Sequence, residues 1–96
     1  MNYNQLINTV AGHYGVTREQ IMSFDRSLRV GTARQIAMYI ARIHNGEPFS
    51  SIAEAFGRNS TTVIFSVTTI KRRLESETEL RKEVEEIIAL SSRYLL

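Results

Sequence analysis

The sequence predicts an all-α domain of five or six helices that contains a helix-turn-helix. Apolar residues recur at i, i+3 and i+4 along most of the chain, which is the spacing of one helix face. Proline occurs once, at Pro48, and no stretch shows the alternation of β-branched and polar residues that is typical of strands. A chain of 96 residues can bury one modest core, so we expect residues 1–96 to form a single domain.

Two helices are predicted at the N-terminal end. The first covers about residues 4–14, and Gly15 stands where a left-handed cap residue follows a helix. Its apolar face consists of Leu6, Ile7, Val10, Ala11 and Tyr14. Thr17 and Gln20 have the spacing of a capping box, which predicts a short second helix over about residues 18–23.

The third helix is predicted to follow a loop over residues 24–30. Thr32 opens it, Asn45 and Gly46 end it, and Pro48 prevents its continuation. Its apolar stripe is expected to consist of Ala33, Ile36, Ala37, Ile40 and Ile43.

Helices over about residues 49–56 and 60–75 have the spacing of a helix-turn-helix. Ala53 is small where the two backbones must approach each other. Gly57, four residues later, suits a turn with positive φ, and Val63, six residues further on, is placed to pack the second helix onto the first.

The last helix, over about residues 78–95, is acidic. Residues 1–74 carry nine Lys/Arg and four Asp/Glu, whereas residues 75–96 carry three and six. A basic body with an acidic end is consistent with a nucleic-acid surface on one side. The buried face of this helix is expected to contain Leu80, Val84, Ile87, Ile88 and Leu95.

Composition excludes several classes of function. Without cysteine there is no disulfide, thiolate metal site or cysteine nucleophile, and His13 and His44 lack the spacing of metal ligands. No phosphate-binding G-x-x-x-x-G-K-[S/T] motif occurs. We therefore expect no enzyme, cofactor, metal or small-molecule substrate. No apolar run approaches the length of a membrane span, which favours a cytoplasmic protein. No heptad seam occurs, which favours a monomer.

The start of the helix over residues 60–75 has the chemistry of a DNA-reading surface. Asparagine, serine and threonine side chains can bond base edges in the major groove, and helix N-termini favour phosphate. The candidate base contacts here are Asn59, Ser60, Thr61 and Thr62. N-capping is an equal alternative for Asn59 and Ser60. For Phe65 we expect packing within the domain rather than contact with thymine.

The helix-turn-helix and the order of the helices along the chain resemble the C-terminal DNA-binding domain of the bacterial replication initiator DnaA. The similarity is carried by residues 33–42, 52–57 and 61–64, and more weakly by residues 10–16 and the acidic last helix. It implies binding to double-stranded DNA in replication initiation or its regulation, and makes other replication proteins a further candidate class of partner.

The resemblance also implies roles for single residues. Arg26, from the loop before the third helix, matches an arginine that enters the minor groove. Thr61 and Thr62 match threonines at the head of the recognition helix. The candidate phosphate contacts, some matched to the family and some proposed from their charge or position, are Arg34, Gln35, Arg42, Ser50, Ser51, Arg58 and Lys71.

Two departures from the family are visible. Where the family has Gly-Gly-Arg-Asp-His-Thr-Thr, this chain has one glycine fewer and Asn59–Ser60 in place of Asp-His. Asp25 adds an acid to a loop that is more basic in the family. These departures predict a changed site and weaker, less salt-sensitive binding. The alternative is a helical module with lost or altered DNA specificity. It would act as a protein-interaction domain, docking a partner through Phe65 and its apolar neighbours, or as a transcription-regulatory domain.

Overall fold

The computed structural model of the chain describes residues 2–94, with side chains for residues 2–91. All regular structure in this part of the chain is helical, which confirms the all-α prediction. The helices are α1 (Tyr3–Tyr14), α2 (Arg18–Met22), α3 (Leu28–Tyr39), α4 (Phe49–Phe56), α5 (Ser60–Ser76) and α6 (Thr78–Tyr94), with a π-helical segment, Ile40–His44, continuing α3.

Helix α3 lies at the centre of the domain. It packs against α1 on one side and α5 on the other, while α4 packs on α5, and α6 packs on α1 and α5. Its side chains Ala33, Ile36 and Ala37 are fully buried. Because α3 contacts both α2 and α5, it fixes the position of the loop that precedes it relative to the helix-turn-helix.

The predicted caps of the first two helices are confirmed. Gly15 ends α1 in the left-handed conformation, with φ 65° and ψ 32°. At the start of α2, the Gln20 amide donates to Thr17 Oγ1 at 3.0 Å, and the Thr17 amide donates to Gln20 Oε1 at 2.8 Å. This reciprocal pair is a capping box, and it determines where the short α2 begins.

Helix α3 begins at Leu28, four residues before the predicted start at Thr32. The Asp25 carboxylate accepts a hydrogen bond from the Ser27 amide at 2.8 Å, and the Gly31 amide then donates to Ser27 O at 2.8 Å. Asp25 therefore turns the chain into the helix early. The loop is shorter than predicted, and Arg26 lies in it between the end of α2 and the start of α3.

Ile43 is 51% exposed, although the predicted stripe placed it in the core. The cause is the π-helical segment, in which the Asn45 amide bonds to Ile40 O and the Glu47 amide to Ala41 O. In a helix with i→i+5 hydrogen bonds, the rotation about the helix axis per residue is smaller than in an α-helix. The helix face is thereby displaced, and Ala41 instead of Ile43 is buried.

Helix α6 packs against α1, α5 and the π-helical segment. Leu80, Val84 and Ile87 are buried as predicted, and Ile88 is partly buried; Leu95 lies outside the described residues. Tyr14 Oη donates to the Glu83 carboxylate at 2.7 Å, which links α1 to α6. Among helices within residues 2–94, none has both the length and the apolarity to cross a bilayer.

Candidate nucleic-acid interface

The helix-turn-helix has the geometry predicted from Ala53, Gly57 and Val63. Gly57 ends α4 with φ 65° and ψ 35°, a conformation that L side chains rarely adopt. The Arg58 amide donates to Ala53 O at 2.9 Å, which closes the end of α4. Ala53 and Val63 are both buried between the two helices. The turn is therefore complete with one glycine.

Asn59 is the N-cap residue of α5. Its Oδ1 accepts a hydrogen bond from the Thr62 amide at 2.8 Å, so of its two alternatives the structure shows the cap. Asn59 itself is exposed. Ser60, Thr61 and Thr62 form the first turn of α5, and the latter two are exposed.

The guanidinium of Arg34 bonds carbonyl groups within the domain, which corrects the expectation that it faces phosphates. Arg34 is 9% exposed. Its Nε donates to Ile21 O at 2.6 Å, its Nη1 to Asp25 O at 3.1 Å, and its Nη2 to Gln20 O and Ser23 O at 3.0 and 2.7 Å. These oxygens belong to the end of α2 and to the following loop. Gln20 O also accepts from the Ser23 amide and hydroxyl, and Ser23 O also accepts from Arg58. Arg34 therefore holds the backbone on both sides of residue 24.

Arg58 has a similar position, which differs from the predicted phosphate contact. Its Nη1 donates to Phe56 O at 2.7 Å and to Met22 O at 3.1 Å, and its Nη2 donates to Ser23 O. Its guanidinium carbon lies 4.7 Å from the centre of the Phe24 ring, within the range of a cation–π contact. Arg58 thus ties the helix-turn-helix turn to the loop that carries Arg26.

A buried and a partly buried guanidinium in one small region need compensation, and the carbonyl groups supply it. Burial lowers the pKa of Arg34, the charge of Arg58 lowers it further, and Asp25 partly opposes both. Burial also lowers the pKa of Arg58. Hydrogen bonds from Ser27 hold the pKa of the Asp25 carboxyl below its usual value, with a smaller contribution from Arg34. Asp25 is therefore part of the loop's construction, and remains ionised at neutral pH.

A cleft of about 480 Å³ lies between this loop and α5, and we call it the loop–α5 cleft. It brings together predicted residues from three separate parts of the sequence. Its lining consists of Phe24, Arg26, Gly31, Arg34, Gln35, Met38, Arg58, Thr62, Phe65 and Ser66. Arg26 on the loop is exposed, as is Thr62 on α5. The cleft therefore presents one arginine beside the start of the recognition helix.

The remaining predicted residues lie outside this cleft. Arg42 donates to Glu47 O at 3.2 Å and its guanidinium carbon lies 4.2 Å from the centre of the Phe49 ring. Ser51 Oγ shares a hydrogen bond with Tyr3 Oη at 3.0 Å. Ser50 and Lys71 are exposed. For all four, phosphate contact stays a prediction.

The expectation that Phe65 packs inside the domain is wrong. Its side chain is 65% exposed, and Phe24 is 80% exposed. The core side of α5 is already filled by Val63, Val67 and Ile70. Phe24 was not among the residues predicted for the site, although a phenylalanine in an otherwise polar loop is a signal that sequence reasoning could have used.

With this geometry in place, comparison with known proteins gives a consistent result. The fold and the turn define the chain as a helix-turn-helix domain. A family model described as the bacterial dnaA protein helix-turn-helix matches residues 3–70. The chain belongs to this family.

Curated relatives carry the same name. The chain is 36% identical over 94 residues to the chromosomal replication initiator protein DnaA of Thermotoga petrophila, covering 97% of this chain and 21% of that protein. The protein of that name from Agrobacterium fabrum is 39% identical over 77 residues, covering 79% of this chain and 16% of that protein. The chain thus spans about a fifth of the length of the curated relatives it matches.

Proposed function

We propose that this chain binds double-stranded DNA sequence-specifically, with α5 in the major groove and Arg26 in the minor groove. Its process is replication initiation or the regulation of initiation, in the cytoplasm at the nucleoid, with other replication proteins as further partners. Binding as a monomer to an asymmetric site is sufficient for this arrangement, since both reading elements come from one chain.

The observation that carries the proposal is the loop–α5 cleft. Arg26 and Thr62 line its two sides, and both are exposed. A B-DNA strand separates a major from a minor groove, so a protein that reads both must span one sugar-phosphate backbone. The cleft provides a recess for that backbone between the two reading elements.

Asn59 is expected to read DNA as a donor. Bidentate recognition of adenine uses both the oxygen and the NH₂ group of asparagine, and the Thr62 amide takes one of the two lone pairs of the Asn59 oxygen. The NH₂ group is unaffected by this cap, and it suits an acceptor such as guanine O6 or thymine O4. Cytosine, which offers an N4 donor, is disfavoured at this position.

Selection from a random duplex pool at two salt concentrations tests the proposal. We expect a consensus to emerge and affinity to fall as salt rises. Arg26→Ala should keep the major-groove part of the consensus and lose preference at an adjacent A·T-rich segment, because a narrow A·T minor groove attracts arginine. The matched control is Arg29→Ala, since Arg29 is also exposed but lines a different cleft with Tyr14.

Two outcomes would contradict the proposal. Absence of duplex binding even at low salt would remove DNA as the ligand. An unchanged consensus in Arg26→Ala, or equal effects of Arg26→Ala and Arg29→Ala, would remove the minor-groove role while leaving the major-groove role intact.

A second candidate function rests on exposed apolar side chains. Phe24, Leu28 and Phe65 are 80%, 83% and 65% exposed, and large apolar side chains at a protein surface can mark an interaction site. In this case the domain would dock a partner protein and bind no DNA. Failure of the duplex selection, together with retained folding, would favour it.

A further inference from the structure

We infer that Phe65 is a specificity-determining residue that contacts the 5-methyl group of a thymine in the major groove. The inference rests on the proposed DNA-binding function and extends it to a residue that the family resemblance does not assign. It starts from a side chain whose exposure the core of the domain does not explain.

The outward face of α5 is defined by helical spacing. Thr61, Phe65, Thr68 and Arg72 follow one another at i, i+4, i+7 and i+11, and all four are exposed. Residues at these spacings lie on one face of a helix. The opposite face is the buried one and contains Val63, Ser66, Val67 and Ile70. Phe65 is therefore on the face that points directly away from the domain.

This face is the one that a recognition helix directs at base edges. Thr61 belongs to its first turn, where the proposed base contacts are, and Phe65 is one turn further along. Phe65 also lines the loop–α5 cleft together with Arg26, Arg58 and Thr62. The Phe65 ring therefore lies among cationic and hydroxyl groups, which are groups that can bind DNA.

The chemistry of the ring selects one base feature. Phenylalanine has no hydrogen-bonding group, so it cannot read donors or acceptors. In the major groove the single apolar feature that distinguishes the bases is the thymine methyl group, and apolar contact with it is an established mode of readout. Contact would also cover part of a phenyl ring that is 65% exposed in the free protein.

The test uses the duplex that the wild-type chain selects. Each thymine is replaced in turn by deoxyuridine, which removes only the 5-methyl group. For the wild type we expect a loss of about fourfold in affinity at one position, the change that burial of one methyl group produces. Phe65→Ala should bind both duplexes with the same affinity, so the methyl-dependent loss disappears.

Ile64→Ala is the matched control. Ile64 is also an exposed apolar residue of α5, at 45%, but it lies on the flank of the outward face. This variant should keep the methyl-dependent loss of the wild type. Thermal unfolding of Phe65→Ala should match the wild type, because little of its side chain is buried.

Several results would overturn the inference. Equal affinity of the wild type for thymine and deoxyuridine at every position would do so, as would a methyl-dependent loss that persists in Phe65→Ala. Sedimentation of the wild type as a dimer and of Phe65→Ala as a monomer would assign the ring to self-association. Failure of the wild type to bind any duplex is a different outcome, since it removes the proposed function itself.

Discussion

Replacing Arg34 by alanine should lower the free energy of unfolding of the domain. This loss should be far larger than the loss of any single contact with DNA. The substitution removes four hydrogen bonds from a charged donor to backbone carbonyls, at 2.6 to 3.1 Å. It removes the guanidinium donor from Ile21 O at the end of α2, whereas Gln20 O keeps its hydrogen bonds from Ser23. The loop that carries Arg26 would then be held mainly by Arg58.

The magnitude follows from the burial of each bond. The bond to Ile21 O is buried, and loss of such a charged partner costs about 1.5–3 kcal/mol. The other three are part-buried, so water can replace the guanidinium and each loss costs about 0.5 kcal/mol. The sum is about 3–4.5 kcal/mol, against a total of about 5–14 kcal/mol for a chain of 96 residues.

Urea denaturation and thermal melting followed by circular dichroism measure this loss. We expect a lower midpoint at unchanged m value and a melting temperature lowered by about 12 °C or more. Arg34→Lys should lie between the wild type and Arg34→Ala, because one ammonium group cannot match the guanidinium fork. Arg29→Ala, an exposed arginine on the same helix, should change stability by less than about 0.5 kcal/mol.

A small effect would refute this reasoning. If Arg34→Ala unfolds within about 1 kcal/mol of the wild type and instead weakens binding to all duplex sequences with a lower salt dependence, Arg34 is a phosphate contact. That result would restore the role expected from the family resemblance and show that the carbonyl contacts contribute little.

Two further predictions concern the stability of the domain. Tyr14→Phe removes the hydrogen bond to Glu83 and should lower the free energy of unfolding in urea by about 1–2 kcal/mol, because the acceptor is charged. The control is Glu86→Gln, which changes an exposed residue on the same helix as Glu83 and should have little effect. Equal losses in the two variants would contradict the prediction. Hydrogen bonds lower the folded-state pKa of both Asp25 and Glu77 below their ordinary values of 3.8 and 4.5. For a lowered carboxyl pKa, the stabilisation is complete above the unfolded value and is lost as pH falls through the folded value. Melting temperature should therefore decline below about pH 4.5, with a shallower decline in an Asp25→Asn, Glu77→Gln double variant; the same slope in both proteins would refute it.

Much of the fold was predictable because its signals are local. Caps and turns depend on a few neighbouring residues, and Gly15, Gly57 and the Thr17–Gln20 capping box all have the geometry that their residue types favour. The position of α4 at Phe49–Phe56 matches its prediction, because Pro48 and Gly57 mark both of its ends.

The errors arose where tertiary contacts or unusual helix geometry decide the outcome. Exposure of Ile43 depends on a π-helical segment that the spacing of apolar residues does not reveal. The position of Arg34 depends on carbonyl groups nine to fourteen residues earlier in the chain. A basic residue in a DNA-binding family is readily interpreted as a phosphate ligand, because the sequence contains no sign of those carbonyls.

The departures at the head of α5 have a common consequence for the base sequence that is read. Where the family has aspartate, Asn59 caps α5 through Oδ1 and carries an NH₂ donor that aspartate lacks. Cytosine offers a donor at this edge of the major groove, whereas thymine offers the O4 acceptor and a methyl group. Phe65 lies six residues further on, about 9 Å along the helix axis, so we expect it to meet a base two or three steps away at about 3.4 Å per step. Phe65 is then expected to favour thymine, and Asn59 to favour thymine or guanine, at two separate positions. The selected site is expected to be richer in thymine on the strand read by α5, and a consensus that retains cytosine opposite Asn59 would show that the asparagine acts only as a cap.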